Sequence, residues 1–255
     1  MPYTGTYIFA GRTVRITSLF ERVHDYCADY RCEDLPSTDI SVNITAEDIA
    51  AERGRLSSSR AADDYIEELA VYRVIAENMP RFDTILFHGS CVAVDDRGYL
   101  FTAPSGTGKS THTALWRRLL GERAVMVNDD KPLIRVSGGE VTVFGTPYNG
   151  KHRLGENISV PLAGICCLER AAENAIRRAE RDELYPLLLR QMYRPYSPDA
   201  LARSLALFDK MTGAVRLFRL GCNMDIGAAE LAFAAMTAKP KVLGRGSART
   251  SSCKG

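Results

Sequence analysis

The sequence predicts an α/β protein with a mixed, strand-rich sheet and a small N-terminal α+β module. Short apolar runs separated by Gly, Asp and Asn turns recur between residues 85 and 144, which is typical of closely connected strands. Apolar residues at helical spacing lie before and after this region. One glycine-rich segment joins a predicted strand directly to a predicted helix. The 255 residues suit one large domain, or a core domain with a small appendage.

The N-terminal module is predicted at residues 1–80. Residues 7–16 form two short strands broken at Gly11, and residues 40–45 alternate apolar and polar side chains as a half-buried strand does. Thr45 begins a capping pattern for a helix that reaches about residue 55. A second helix covers residues 63–79 and ends before Pro80.

The main domain is predicted at residues 81–237 and alternates strands with helices. Its predicted strands are 85–88, 91–94, 99–102, 124–127, 133–136, 141–144, 162–168 and 215–220. Its predicted helices are 110–120, 183–192, 199–211 and 226–236. Residues 238–255 are rich in Gly, Ser, Lys and Arg and have little to bury, so we predict a disordered basic tail that is a solvated appendage.

Composition argues against several classes of partner and location. The net charge of +2 gives no general attraction to nucleic acid or to a membrane surface. No run approaches the ~20 apolar residues of a membrane span, and no secretory signal is readable at the N-terminus. The seven cysteines are scattered without paired spacing. We therefore expect a soluble, cytoplasmic protein with reduced, structural thiols.

The glycine-rich segment, residues 103–111, has the pattern of a P-loop. Gly106 and Gly108 let the backbone curl so that successive N–H groups point inward, and the following helix adds the positive end of its dipole. Lys109 is expected at the β- and γ-phosphates, and Ser110 at Mg2+. Ala103 replaces the first glycine of the usual pattern. The residues predicted to bind the nucleotide are Ser105, Gly106, Thr107, Gly108, Lys109, Ser110 and Thr111.

Two adjacent acids follow the predicted strand 124–127. A P-loop site needs a carboxylate facing the metal, and Asp129 and Asp130 lie at a suitable distance after the loop. One carboxylate could face Mg2+ while the other accepts a proton from a substrate hydroxyl. The alternative is a solvated Asp-Asp-Lys-Pro turn.

Several basic residues are weaker candidates. Residues 145–153 place Lys151, His152 and Arg153 in a Gly- and Pro-rich loop, which suits either an anion-binding loop or a solvated surface loop. Arg194, between two predicted helices, could reach a phosphate, although the sequence favours a surface loop there. His88 lies beside strands, where a lone histidine is commonly structural.

The order of His88-Gly89, a strand, the 103–111 loop and Asp129-Asp130 resembles the catalytic domain of HPr kinase/phosphorylase, which is related to ATP-dependent phosphoenolpyruvate carboxykinase. The resemblance covers about residues 85–144, and the chain is similar also to uncharacterised HPr-kinase-like proteins of bacteria. It implies a P-loop kinase core of this type that uses ATP and Mg2+ and forms multimers.

The resemblance implies a role for each matching residue. Asp129 would be the general base, Asp130 would support it or bind the metal with Ser110, and His88 would form a hydrogen bond with Asp129. The family's acidic metal ligand within Glu-x-Arg-Gly has no clear equivalent, and Glu156 is only a loose echo of it. HPr itself is therefore not implied as the acceptor.

Three functions follow from these residues. The first is a kinase that transfers the γ-phosphoryl group of ATP to a hydroxyl of a protein, peptide or small molecule. The second is a non-catalytic nucleotide-binding regulator, which would need at most one of the two acids. The third is a carboxykinase acting on a dicarboxylic acid held by Lys151, His152 and Arg153.

Overall fold

A three-stranded sheet and a nine-stranded sheet make up the framework of the molecule. The computed structural model describes residues 1–33, 37–56, 60–150 and 152–238. The predicted tail lies outside these residues except for Ala238, as does Lys151. Within the described ranges, no helix is both long and apolar enough to cross a membrane.

The small sheet belongs to the N-terminal part of the chain. Strand β1 (Tyr3–Phe9) pairs antiparallel with β2 (Arg12–Ser18), and β3 (Ile40–Asn43) lies parallel to β2. The β1–β2 turn needs a positive φ at Gly11, where the sequence predicts the break. Three helices accompany this sheet: α1 (Arg22–Tyr26), α2 (Ala46–Arg53) and α3 (Asp63–Asn78). Thr45 and Asp48 form the predicted capping box at the start of α2.

The large sheet contains the remaining strands. They are β4 (Thr84–Leu86), β5 (Ser90–Val94), β6 (Arg97–Thr102), β7 (Ala124–Asn128), β8 (Leu133–Ser137), β9 (Glu140–Phe144), β10 (Ser159–Arg170), β11 (Ala175–Arg178) and β12 (Arg216–Cys222). The order is β4-β8-β9-β10-β6-β5-β7, with β12 also paired to β10 and β11 to β12. The sheet is mixed, as the sequence predicts.

Strand β10 belongs to two groups of strands. Its first residues pair antiparallel with β9, and its later residues pair parallel with both β6 and β12. The register against β6 shifts between Leu162 and Gly164, which marks a bulge. The β8–β9 hairpin and β4 are therefore joined to the sheet through the first residues of β10. The parallel strands β6 and β12 pair with its later residues.

Helices cover both faces of the parallel strands. They are α4 (Lys109–Leu120), α5 (Arg181–Leu189), α6 (Pro198–Ala214) and α7 (Ile226–Thr237). Along β10, Cys166 and Leu168 share a core cluster with α4 and α7, whereas Ile165 and Cys167 share one with α5 and α6. Burial on both faces explains the continuous apolar run 162–168 in the sequence.

The N-terminal sheet packs onto the same framework. Its core includes Val14, Ile16 and Ile66, and it extends to Leu86 and Leu133 of the large sheet. The two sheets are thus joined by a continuous apolar contact.

Most element boundaries agree with the sequence prediction within a few residues. The prediction was wrong for β11, which it did not include, because residues 175–178 are mostly exposed and lack an apolar pattern. The six described cysteines are free thiols, as expected, and burial raises the pKa of Cys166 and of Cys91.

Candidate active site

The carboxyl ends of four strands meet at one edge of the large sheet. Strands β6, β10 and β12 are parallel neighbours. Strand β5 is antiparallel to both β6 and β7, so β7 runs in the same direction as β6. The segments that follow these strands therefore share this edge, where ligands commonly bind in α/β sheets.

The glycine loop, residues 103–108, leaves β6 and enters α4. Gly106 and Gly108 have φ values of 76° and 121°, which side-chain-bearing residues rarely adopt. Nothing lies within 4 Å of a Cβ built at either glycine, so both face open space. The backbone N–H groups of the first turn of α4 have no acceptor within the helix, and they can bind an anion.

Lys109 lies beneath the glycine loop. The residue is only 8% exposed, and Nζ donates a hydrogen bond to the backbone oxygen of Ala103, 3.1 Å away. Burial lowers the pKa of Lys109, and the nearby carboxylates of Asp130 and Asp129 oppose that change. Ser110, the next residue, is exposed at the start of the helix.

Asp129 is buried and connected to α4. Ser90 Oγ donates to Asp129 Oδ1 across 2.8 Å, and Ser90 Oγ lies 3.1 Å from Thr113 Oγ1. Thr113 Oγ1 in turn lies 3.3 Å from the backbone oxygen of Lys109. A Cβ at Gly150 would stand 2.9 Å from Asp129 Oδ2, so the second carboxylate oxygen faces backbone without a side chain. The acid and the first turn of the helix thus form one hydrogen-bonded unit.

Asp130 faces a different set of partners. Its Oδ1 lies 3.3 Å from His88 Nε2, and its other oxygen pairs with Lys131. Burial favours the neutral acid, but the hydrogen bond from His88 and the charge of Lys131 outweigh it and lower the pKa of Asp130 to about 2. Asp130 is therefore ionised at neutral pH.

The predicted hydrogen bond between His88 and Asp129 is wrong, because His88 contacts Asp130. Asn128 Oδ1 accepts hydrogen bonds from the backbone N–H groups of Asp130 and Lys131, at 2.8 and 2.7 Å. These bonds turn the chain immediately after β7, where the two acids contact different partners. We call residues 128–131 the acid turn.

The loop after β9 closes over the acid turn. Asn128 Nδ2 donates to Thr146 Oγ1 across 2.9 Å, and Thr146 Oγ1 donates to the backbone oxygen of Lys131 across 3.0 Å. Asn149 Oδ1 accepts from the backbone N–H of Asp129 at 3.2 Å. Small and amide side chains of this loop, rather than its basic ones, make these contacts.

Two of the predicted substrate residues, Arg153 and Arg194, lie outside this hydrogen-bonded group. The Arg153 guanidinium stacks on Tyr26 at 4.1 Å from the ring centroid. Arg194 is exposed on the loop that follows Gln191. Lys151 is outside the described residues.

Glu156 does not lie beside the glycine loop. Its backbone N–H bonds to Met126 O at 3.0 Å, and the residue lines a depression with Arg117 and Glu122 at the far end of α4. The structure therefore gives no support to Glu156 as an equivalent of the acidic metal ligand. The reason is that the chain at Glu156 lies against the edge strand β7, through this bond to Met126.

A cavity of ≈490 Å³ adjoins the glycine loop, and sequence reasoning missed most of its lining. Arg170, at the end of β10, donates from Nη2 to Gly106 O across 2.6 Å. We call this cavity the His112 cavity. Its lining residues are Gly106, Thr107, Gly108, Thr111, His112, Leu115, Arg170, Ala171, Cys222, Asn223 and Met224. They come from the glycine loop, from α4 and from the ends of β10 and β12.

His112 is a buried, neutral donor in this lining. Its Nε2 accepts a hydrogen bond from the Trp116 indole N–H at 3.2 Å, so Nδ1 carries the proton. Among the described residues Nδ1 has no hydrogen-bond partner. Burial lowers the pKa of His112 to about 4.

Helix α3 supports the site from the N-terminal side. Tyr72 Oη donates to the backbone oxygen of Lys131 at 2.8 Å, and Glu77 accepts from Tyr193 Oη at 2.7 Å. Two residues before Tyr193, Gln191 Oε1 lies 2.8 Å from His88 Nδ1. Helix α3 thus contacts the acid turn through Tyr72. Through Glu77 it also contacts Tyr193, in the segment whose Gln191 lies beside His88.

Comparisons with known proteins give only a distant likeness to solved structures. No model of a known protein family matches the sequence, and no curated protein matches it. Among solved structures, the Hpr(Ser) kinase/phosphatase from Coxiella burnetii matches with a TM-score of 0.32 and 11% sequence identity. The match covers 59% of this chain and 95% of that chain. At this identity and TM-score, the likeness carries no conclusion about family or function.

No cluster of three or more metal-ligating His, Cys, Asp or Glu side chains occurs in the described part of the chain.

Proposed function

We propose that this protein is an ATP-dependent kinase that transfers the γ-phosphoryl group to a hydroxyl of a protein, peptide or small molecule. The observation that carries the proposal is the connection of Asp129, through Ser90 and Thr113, to the start of α4, with Lys109 buried beneath the glycine loop. A buried acid beside an anion-binding helix start is what phosphoryl transfer needs.

The nucleotide fits the residues at this edge of the sheet. Residues 105–111 would hold the phosphates, because their glycines face open space and the backbone N–H groups are donors. Lys109 would share the negative charge. The nucleoside would occupy the His112 cavity, where the Nδ1–H of His112 and the side chain of Asn223 supply polar contacts. A nucleoside suits the cavity's volume.

The two acids would have separate tasks. With a pKa of about 2, Asp130 is a poor proton acceptor, and its permanent charge suits a ligand of Mg2+ together with the Ser110 hydroxyl. Bound Mg2+ would neutralise phosphate charge. Asp129 would accept the proton of the attacking hydroxyl. The acceptor oxygen then bonds to the γ-phosphorus, the bond to the bridging oxygen breaks, and ADP leaves.

Two substitutions test the proposal. We expect Lys109→Ala to abolish the heat of Mg-ATP binding in calorimetry, because the buried charge is removed. We expect Asp129→Asn to retain that heat while transfer from γ-labelled ATP to acceptors in a cell lysate falls ~100-fold or more. Lys210→Ala and Asp96→Asn, both exposed, are the matched controls.

Each result discriminates among the functions considered. Unchanged transfer by Asp129→Asn would remove Asp129 from the role of base. Binding of Mg-ATP by the wild-type chain without any labelled acceptor would contradict the kinase and favour a non-catalytic nucleotide-binding regulator. Unchanged binding by Lys109→Ala would contradict the nucleotide site itself.

A further inference from the structure

Three arginines converge on a second cavity, between the two sheets and away from the glycine loop. The cavity has a volume of ≈410 Å³. It lies between the β1–β2 turn of the N-terminal sheet and the β8–β9 hairpin of the large sheet. Its lining residues are Arg12, Arg81, Phe82, Asp83, Arg135, Ser137, Glu140 and Thr142. We call it the three-arginine cavity.

Aromatic rings hold the three guanidinium groups in place. The Arg12 and Arg81 guanidiniums lie 4.9 and 5.8 Å from the centre of the Phe82 ring. The Arg135 guanidinium lies 4.7 Å from the Phe144 ring and donates from Nη1 to Ala10 O at 3.2 Å. Stacking orders a guanidinium and leaves N–H groups at its edge available to a ligand.

These charges are not neutralised by contact. Within the described ranges, no carboxylate lies within 4.0 Å of Arg12, Arg81 or Arg135. Asp83 and Glu140 line the same cavity without forming such an ion pair. In addition, Arg12 Nε is buried and has no hydrogen-bond partner among the described residues. A buried donor without a partner is costly, so this atom points to a missing acceptor.

We infer that the three-arginine cavity binds a small tetrahedral dianion, a phosphate group either free or as an ester. Guanidinium forks match phosphate oxygens, and three of them around one cavity supply the charge for a dianion. The hydroxyls of Ser137 and Thr142 add donors. The carboxylates of Asp83 and Glu140 could accept hydrogen bonds from the hydroxyls of an ester.

The bound anion would join two parts of the chain. Arg12 belongs to the N-terminal sheet, and Arg135 lies on β8, which begins two residues after the acid turn. From Leu133 to Ser137 the strand covers roughly 13 Å, so the cavity and the candidate active site are separate. Since the anion would contact both sheets, binding should stabilise the folded chain.

The test uses the full chain with Lys109→Ala, which removes the phosphate binding proposed for the glycine loop. Calorimetry with inorganic phosphate, and separately with glycerol 3-phosphate, should give one binding event with Kd at or below ~1 mM. Adding Arg135→Gln or Arg81→Gln should weaken binding at least ~10-fold, the effect of one charge-assisted hydrogen bond. Adding Arg178→Gln, an exposed arginine on β11, should change nothing.

The outcomes separate the alternatives. Tighter binding of glycerol 3-phosphate than of phosphate would identify an ester as the ligand class, and equal binding would identify the free ion. Arg81 is exposed, so its variant tests the site even if Arg135→Gln fails to fold. No binding of either probe at ~10 mM, or equal binding by the Arg81→Gln and control variants, would overturn the inference. Neither result depends on whether the protein is a kinase.

Discussion

Ser90 Oγ donates a hydrogen bond to Asp129 Oδ1 across 2.8 Å, with both residues buried. Ser90 begins β5, and Asp129 follows β7, which pairs with β5 along its length. The sheet itself therefore fixes the separation of the two residues. A carboxylate held in this way has a defined orientation before any ligand binds.

We expect Ser90→Ala to lower phosphoryl transfer about 10-fold and to leave Mg-ATP affinity within about 2-fold of wild type, because a positioning hydrogen bond is lost. Ser41→Ala, an exposed serine on β3, is the control. A parallel loss of affinity and turnover would show that Ser90 only maintains the fold.

Arg170 should matter for binding of nucleotide. Its guanidinium holds Gly106 O and lines the His112 cavity, so Arg170→Ala should weaken Mg-ATP binding about 10-fold in calorimetry. Arg178→Ala, on exposed β11, should bind normally. Wild-type affinity of Arg170→Ala would exclude Arg170 from the nucleotide site.

His112 should make stability depend on pH. Its pKa is lower in the folded chain, about 4, than the ordinary 6.5, so the unfolded chain binds the proton first as pH falls. The contribution of neutral His112 to the free energy of unfolding is thus present above pH 6.5 and is lost as pH drops toward 4. Between pH 7 and pH 5 the wild-type chain should lose about 2 kcal/mol that His112→Gln does not lose.

Urea unfolding at several pH values measures this difference. His152→Gln, which alters an exposed histidine, should keep the wild-type dependence. If His112→Gln and wild type lose equal stability over this range, His112 is not buried as a neutral imidazole.

Tyr72 links α3 to the acid turn through its hydrogen bond to Lys131 O. We expect Tyr72→Phe to lower the free energy of unfolding by about 1 kcal/mol, since the carbonyl loses a buried partner, and to reduce turnover. Tyr65→Phe, on the exposed side of the same helix, is the matched control. Equal effects of the two variants would argue against support of the acid turn by α3.

Local patterns in the sequence predicted part of the site. The glycine loop lies between a strand and a helix as predicted, because Gly106, Gly108 and the helix pattern after Lys109 are contiguous. The acids at the end of β7 are predictable for the same reason. Both features need only a few neighbouring residues.

Contacts between distant segments could not be predicted. Arg170 reaches Gly106 only because β10 pairs with β6, and that pairing joins residues more than 60 positions apart. Gln191 contacts His88 across 103 positions. The choice of Asp130 over Asp129 as the partner of His88 depends on the hydrogen bonds of the Asn128 side chain, which spacing does not encode.

Strand β10 has a mechanical consequence. Near its start, Pro161 pairs with Thr142 of the three-arginine cavity. At its end, the Arg170 guanidinium donates a hydrogen bond to the backbone oxygen of Gly106. The stretch of β10 from Pro161 to Arg170, roughly 30 Å of extended chain, connects these points without an intervening loop that could absorb a displacement. A displacement of the β8–β9 hairpin should therefore shift or tilt β10 and so reach the glycine loop. If β10 bends instead, the bend should lie at the bulge between Leu162 and Gly164.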